Sequence, residues 1–449
     1  MNEPTGADPR RLMATGPMRR QQVLAIAVCV ALNALDGFDV LSISFASPGI
    51  ASEWGIDRRA LGFVLSFELM GMAAGSILLG QLADRIGRRA TVLACLCLMI
   101  GGMGATAFVH SIAALAATRV TTGLGIGGML AVTNALVAEY ANDRWRSAAV
   151  TIMAAGYPMG AIAGGSIASA LLATGTWRDV FLLGCGMTLV LLPLVALLLP
   201  EPVSAVLLRR DEGTLDRLNA SLRRLGHTPA NALPPATHRP RKTTLADLFA
   251  PDLRHVTIML TTAYFMHILT FYFILKWVPK VVADMGYTAS SAGGVLVWAN
   301  VGGLLGGLAF AGLSLILPLR RLIIGFMLAS LATVTWFGQP HEGLRALSWA
   351  AAIGGFCTNA GVVGIYALVA SSFPTATRAG GTGFVIGVGR GGAALGPVIG
   401  GYLFAAGFAL PVVAALMASG ALIAAIALGF GPRPAPILKG EPALSLIHI

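Results

Sequence analysis

The chain has 449 residues, of which 56% are hydrophobic and only 11% charged, with 56 glycines and a formal net charge of +11. Soluble domains carry about 25% charged residues, and no single water-facing globule hides this much apolar surface; a mean hydropathy of +0.77 therefore excludes a soluble enzyme, a nucleic-acid binder and a disordered protein together. The basic pI near 10.0 does not point to nucleic acid, because most of the Lys and Arg residues lie in stretches between apolar runs.

A transmembrane helix needs about 20 apolar residues. Twelve runs qualify in chain order: 21–47, 60–82, 90–110, 112–138, 147–173, 177–199, 254–279, 288–312, 319–338, 344–371, 379–406 and 408–430. The first follows the polar stretch Met1–Arg20 and is too long for the core of a cleaved signal peptide. With the N-terminus placed in the cytoplasm, 23 of the 31 Lys and Arg residues fall on that side and six on the other. The six include Arg58, Arg59, Lys276 and Lys280, and Arg119 and Arg390 remain inside spans. The excess orients both termini toward the cytoplasm. The expected organisation is an N-terminal tail (1–20), a six-helix bundle (21–199), a cytoplasmic linker (200–253) with a short helix near 211–225, a second six-helix bundle (254–430) and a tail (431–449). The last six residues, Leu444–Ile449, resemble the translation of a sequencing-library transposon end and are set aside from the fold. The five cysteines sit in apolar runs without metal-ligand spacing and read as packing residues, so neither a metal nor a cofactor is expected.

The two sets of six spans carry an internal repeat. Gly80 and the pair Arg88-Arg89 after span 2 recur as Gly312 and Arg320-Arg321 after span 8, 232 residues on. Arg146, opening span 5, maps at the same offset to Arg378, opening span 11. The series Gly156, Gly160, Gly164-Gly165 recurs as Gly392, Gly396, Gly400-Gly401 at an offset of 236. Parallel six-helix repeats with a cavity between them are a transporter architecture, and glycines four apart let helix backbones touch.

Gly80-x-Leu82-Ala83-Asp84-Arg85-x-Gly87-Arg88-Arg89 resembles the loop 2–3 signature of the major facilitator superfamily, and Arg119-x3-Gly123-x-Gly125 resembles its span 4 signature. Asp36-Gly37-Phe38-Asp39 in span 1 is similar to the Asp-Gly-x-Asp signature of that superfamily's aromatic acid:proton symporters. Leu199-Pro200-Glu201-Pro202, Trp277-Val278-Pro279 and Arg390-Gly-Gly-Ala393 with Gly396-Pro397 also fit that group, apart from Pro202 where it usually has Ser. The resemblance spans residues 20–430. It implies an all-α integral membrane fold of twelve helices in two pseudo-symmetric bundles. It also implies a multi-pass protein of a bacterial-type inner membrane that imports a small aromatic carboxylate with protons.

A charge inside the bilayer is costly and normally has a partner or a task. Asp36 and Asp39 share a helix face; burial and mutual repulsion favour the protonated form of at least one, which suits proton coupling. Arg119 has no acid three or four residues away on its own helix, and Asp36 or Asp39 is its expected partner, since the resemblance brings spans 1 and 4 to one cavity. As a fork for a carboxylate, Arg119 is a candidate substrate ligand, and so is Arg390, set among glycines in span 11. His267 and Tyr264 in span 7 and Trp298 in span 8 are candidates for stacking on an aromatic ring. Glu68, midway along span 2, reads as a hydrogen-bonding residue or a second proton site. Asp84, Arg85, Arg88, Arg89 and Glu139 at the cytoplasmic rim form the expected gate, with Asp84 capping the amides of a neighbouring helix.

Other readings have less behind them. A membrane-embedded enzyme would need clustered catalytic groups, whereas the seven histidines are scattered, and no phosphate loop for a nucleotide is present. A proton-coupled porter of an aliphatic acid remains the alternative. A drug antiporter is disfavoured, because the Gly-Pro pair lies in span 11 rather than span 5.

Overall fold

The computed structural model describes residues 8–208, 213–235, 244–374 and 377–431, and among them all regular structure is helical. In order the helices are α1 (Pro9–Thr15), α2 (Arg20–Trp54), α3 (Arg58–Ile86), α4 (Arg88–Thr106), α5 (Ile112–Tyr140), α6 (Arg146–Leu171), α7 (Trp177–Leu198), α8 (Val203–Leu208), α9 (Thr214–Arg224), α10 (Leu245–Leu248), α11 (Arg254–Asp284), α12 (Ala289–Leu313), α13 (Leu319–Phe337), α14 (Gly343–Ser372), α15 (Arg378–Ala405) and α16 (Leu410–Phe430). Twelve of them are long and apolar enough to cross a membrane, and they follow the twelve apolar runs in order. The tail beyond Gly431, including 444–449, lies outside the described residues.

The largest boundary differences are at prolines. Apolar runs ending at 47 and 279 continue as helix to Trp54 and Asp284, through Pro48 and Pro279. A proline removes one donor, but in hydrocarbon the remaining backbone groups have no water to turn to, so the helix goes on. Side chains fix several helix starts: Asp57 accepts from the Ala60 amide at 2.7 Å, Ser111 from Ala114 at 3.2 Å and Thr288 from Ser291 at 3.2 Å.

Helices α2–α7 and α11–α16 form two halves with matching contacts. In the first, α2 packs on α6, α3 on α5 and α4 on α7; in the second, α11 packs on α15, α12 on α14 and α13 on α16. The repeated glycines cause this. A side chain at Gly156 or Gly160 would strike the carbonyl of Val30 or Ala34, and one at Gly164 the ring of Phe38. In the second half Gly392, Gly396 and Gly400 meet the carbonyls of Phe265 and Leu269 and the ring of Phe273 in the same sequence. Glycine series and partner series both step by four residues, as helices in backbone contact require.

The halves meet along α3–α15, α6–α12 and α2–α11. The seam is closed on the face away from the termini. Ser66 Oγ donates to the Ala394 carbonyl at 2.6 Å, Gly62 lies under the Pro397 carbonyl, and Gly293 under Ser169 Oγ. Arg58 pairs with Asp284 at 3.0 Å and lies over the Phe404 ring. The bonds Arg58–Asp284, Ser66–Ala394 and Lys276–Val40 and the Lys276–Glu68 ion pair join the halves at mid-membrane or on this closed side.

The linker through α9 and His227 packs on the first half, while its end packs on the second, where Thr257 Oγ1 donates to the Leu248 carbonyl at 2.9 Å and Phe249 meets the Phe384 ring. The leucines of α9 face inward, with Leu218 and Leu222 fully buried. Ser221 Oγ donates to the Glu201 carbonyl at 2.7 Å, Tyr140 donates to the Pro200 carbonyl, and His227 meets Gln22 of α2 at 3.2 Å.

Candidate functional site

Five charged side chains lie fully buried near the seam: Asp36 and Asp39 on α2, Glu68 on α3, Arg119 on α5 and Lys276 on α11. Their positions follow from close helix approach. Gly37, between the aspartates, sits against the Tyr157 carbonyl of α6, and a side chain at Gly184 of α7 would come within 2.9 Å of Asp39 Oδ1. Gly123, one turn beyond Arg119, lies on the Glu68 carbonyl, and this crossing brings the two charged side chains together.

Arg119 is held through its two terminal nitrogens and its ring contact. Its guanidinium donates to Ser42 Oγ at 3.2 Å and Thr122 Oγ1 at 2.8 Å, approaches Met103 Sδ at 2.8 Å and lies over the Phe181 ring, 4.7 Å from the centroid. Its acid is Glu68, with Nη1 3.6 Å from Oε1. This corrects the expected pairing with Asp36 or Asp39: no ion pair within 4 Å joins Arg119 to either among the described residues. The α3–α5 crossing, invisible in one helix's periodicity, chooses the partner. Lys276 is a second correction. Its position near the end of a predicted span places it with the loop residues, yet α11 continues past it to Asp284 and Lys276 is buried. Its ammonium donates to the Val40 carbonyl of the other half and lies 4.0 Å from Glu68 Oε2.

The aspartates differ from this paired group. All four of their carboxylate oxygens are buried without a hydrogen-bond donor. Arg390, half-buried on α15, lies within electrostatic range of Asp36, Tyr264 and Tyr272. A side chain at Gly389 would collide with the Tyr264 ring and one at Gly391 would crowd Phe265, so glycines on either side of Arg390 let α15 lie against α11. Tyr264 bonds Tyr366 at 2.9 Å between hydroxyls, and Tyr366 is 39% exposed. Tyr157 and Tyr272 face each other from opposite halves; Tyr272 belongs to the aromatic stripe of span 7, whereas Tyr157 does not stand out in the sequence, because a lone tyrosine in an apolar run is ordinary packing.

Two expected substrate residues lie elsewhere. Trp298 is 48% exposed and pairs with Trp349, on a stripe of α12 shared with Leu305 and Leu308; it faces outward from the bundle. His267 is buried against Gly361, and Nε2 meets the Thr358 carbonyl at 2.9 Å, so it fastens α11 to α14.

At the rim, Arg88 pairs with Glu139, and Arg89 donates to the Ala196 carbonyl at 2.6 Å at the end of α7. Arg85 is exposed. The Asp84 side chain, and with it the expected cap on a neighbouring helix, lies outside the described residues. The amides that open α4 are capped by Glu201, whose carboxylate accepts from the Arg88 amide at 2.6 Å and the Arg89 amide at 3.0 Å. Gly87, at φ +105°, lies beneath that carboxylate, where a side chain would displace it. These contacts lie within the first half and its linker.

Two matched six-helix halves, closed together on one face and carrying buried acids at their seam, define a secondary transporter of the alternating-access kind. A sequence model of the Major Facilitator Superfamily matches residues 27–341. The chain is 31% identical to a gallate transporter of Pseudomonas putida, covering 92% of each chain. It is 30% identical to the 4-hydroxybenzoate transporter PcaK of Acinetobacter baylyi, over 94% of this chain and 93% of that one. It is also 30% identical to a 3-(3-hydroxy-phenyl)propionate transporter of Escherichia coli, over 90% and 93%. Among solved structures, the inward-open xylose transporter XylE of E. coli superposes with a TM-score of 0.69 at 16% identity, covering 94% of this chain and 98% of that one, a likeness of fold. The chain belongs to the Major Facilitator Superfamily and, within it, to the aromatic acid:proton symporters. It is a multi-pass membrane protein with twelve candidate spans.

Proposed function

We propose that the protein imports a small aromatic carboxylate together with protons across a bacterial-type inner membrane, with both termini cytoplasmic. The carboxylates named for its relatives and the 23 basic residues on the side of the termini support this reading. On that orientation the closed face is external and the conformation faces inward.

The observation that carries the proposal is the Asp36–Asp39 pair. Two ionised carboxylates, buried without a donor, would cost several kcal/mol; binding a proton removes that cost. In the outward-facing state the pair takes up protons, and the substrate carboxylate binds the half-buried Arg390, with its ring among Tyr157, Tyr264, Tyr272 and Tyr366. Rocking of the halves 21–199 and 254–430 about their seam then opens the inner side, where substrate and protons leave. In this scheme Arg119, enclosed by its own half, steadies Glu68 and the aspartate region, and the rim residues Arg88, Arg89 and Glu139 brace the first half.

Uptake of labelled gallate, 4-hydroxybenzoate and benzoate into energised cells tests the proposal. Asp36→Asn and Asp39→Asn are each expected to reduce uptake to background while the protein still reaches the membrane. Wild-type uptake by both variants would refute the role of the pair, and competition only by short aliphatic acids would refute the aromatic substrate.

A further inference from the structure

We infer that Glu68 is a second proton-binding site, and that Lys276, from the opposite half, sets its charge state as the halves open and close. The inference rests on the transport reading above and deepens it by naming a pair that links conformation to protonation.

The geometry is specific. The two carboxylate oxygens of Glu68 face two cations from different halves: Arg119 of its own half at 3.6 Å and Lys276 of the other at 4.0 Å. Neither oxygen accepts a hydrogen bond, and all three side chains are 0% exposed. The only hydrogen bond of the Lys276 ammonium among the described residues is to the Val40 carbonyl. A buried ammonium with one main-chain acceptor is costly without a compensating charge, and Glu68 is the acid within reach. The repeat shows that the scaffold does not need the pair. Gly123 lies on the Glu68 carbonyl as Gly355 lies on that of Ala299, so the counterpart of Glu68 is Ala299; by the α2–α11 correspondence the counterpart of Lys276 is Leu41.

The remaining charged and titratable groups around Glu68 come from each neighbouring helix: Asp36 and Asp39 from α2, Tyr157 from α6, Tyr272 from α11 and, beside Asp36, Arg390 from α15. Three acids thus face three bases, and the set is neutral when all are ionised.

Opening the closed face must part α11 from α2 and α3, because Lys276 bridges that seam. Glu68 then keeps Arg119 alone, beside two aspartates, and a proton from the newly opened side replaces the lost cation. Closure returns the Lys276 ammonium. The O–H bond of Glu68 breaks, its electron pair stays on the carboxylate, Lys276 keeps its own protons, and the released proton leaves on the side of the termini.

Purified full-length wild type, Glu68→Gln, Lys276→Gln and the double variant, reconstituted in proteoliposomes, test this with whichever of labelled gallate, 4-hydroxybenzoate or benzoate the wild type exchanges fastest. The proton-to-substrate ratio is read from the pH gradient at which net flux vanishes. Glu68→Gln is expected to move one proton fewer per substrate. Lys276→Gln, which keeps the carboxyl, should accumulate substrate on the order of tenfold less under an inward proton gradient. The double variant removes the unpaired buried charge of either single change, so it guards against misfolding; it should exchange substrate faster than Lys276→Gln, again with one proton fewer. A wild-type ratio in Glu68→Gln or the double variant, or wild-type accumulation by Lys276→Gln, overturns the inference while leaving proton symport intact. A wild type that exchanges substrate without moving protons overturns the transport reading and this inference with it.

Discussion

The two halves of this transporter share a scaffold and differ in charge. Three glycines of α6 meet two carbonyls and a phenylalanine of α2, and three glycines of α15 meet the same kinds of group on α11. Laid on that correspondence, Asp36 and Asp39 fall on Phe271 and Ile274, Glu68 on Ala299 and Arg119 on Ala351. The first half therefore concentrates buried ionisable groups, while the second replaces them with apolar residues and supplies Lys276 and Arg390 toward the seam. The difference teaches that packing and chemistry were specified separately. Glycine against backbone sets where the helices cross, and a few substitutions on one side of an equivalent frame supply the proton chemistry. Because the two cations of the second half face acids of the first, rocking of the halves necessarily changes the charge environment of both.

The comparison can be broken most directly at the scaffold. Gly160→Leu and Gly396→Leu should each destabilise the fold by about 3 kcal/mol or more, since even a Cβ at these sites would lie 1.7 Å and 2.6 Å from a carbonyl oxygen. Equal losses of monodisperse protein after extraction would sharpen the equivalence of the halves, and a harmless change at one site alone would break it. The next effect concerns the division of tasks. Arg390→Ala should lower kcat/KM for the aromatic acid on the order of tenfold to a hundredfold, chiefly through KM, and leave the proton-to-substrate ratio unchanged. A changed ratio would place proton coupling in the second half as well.

The smallest effect tests the attachment of the linker to the first half. Burial, and secondarily Arg19, hold the His227 imidazole below its ordinary titration range. The folded state therefore binds fewer protons than the unfolded state as pH falls through that range, so stability rises with pH across it and is lost as pH drops below it. His227→Gln should flatten the acid side of a plot of melting temperature against pH between about 5 and 7. An unaltered slope would show that the linker does not bury this side chain.

Much of the fold was legible in the sequence because membrane energetics is local. Each span must satisfy its own backbone and present apolar side chains over a fixed length, so twelve runs became twelve helices, and the glycine series announced the repeat. The prolines at 48 and 279 misled only about span ends. The site was legible as a list of charges, since each one in an apolar run stands out, but not as a set of partners. Glu201 shows the same limit at the rim: an acid in a Pro-rich turn does not reveal that it will cap α4, more than 100 residues away in the chain.

The sequence by itself determined the spans, the duplication, the family and the few buried ionisable residues, because each follows from the composition or spacing of a short segment. Tertiary structure decided that Arg119 holds Glu68 rather than an aspartate, that Lys276 enters the core, that Trp298 turns outward and that His267 ties two helices together. Those outcomes depend on how each helix is rotated and where it crosses its neighbours. That is set by backbone meeting backbone at glycines from distant parts of the chain.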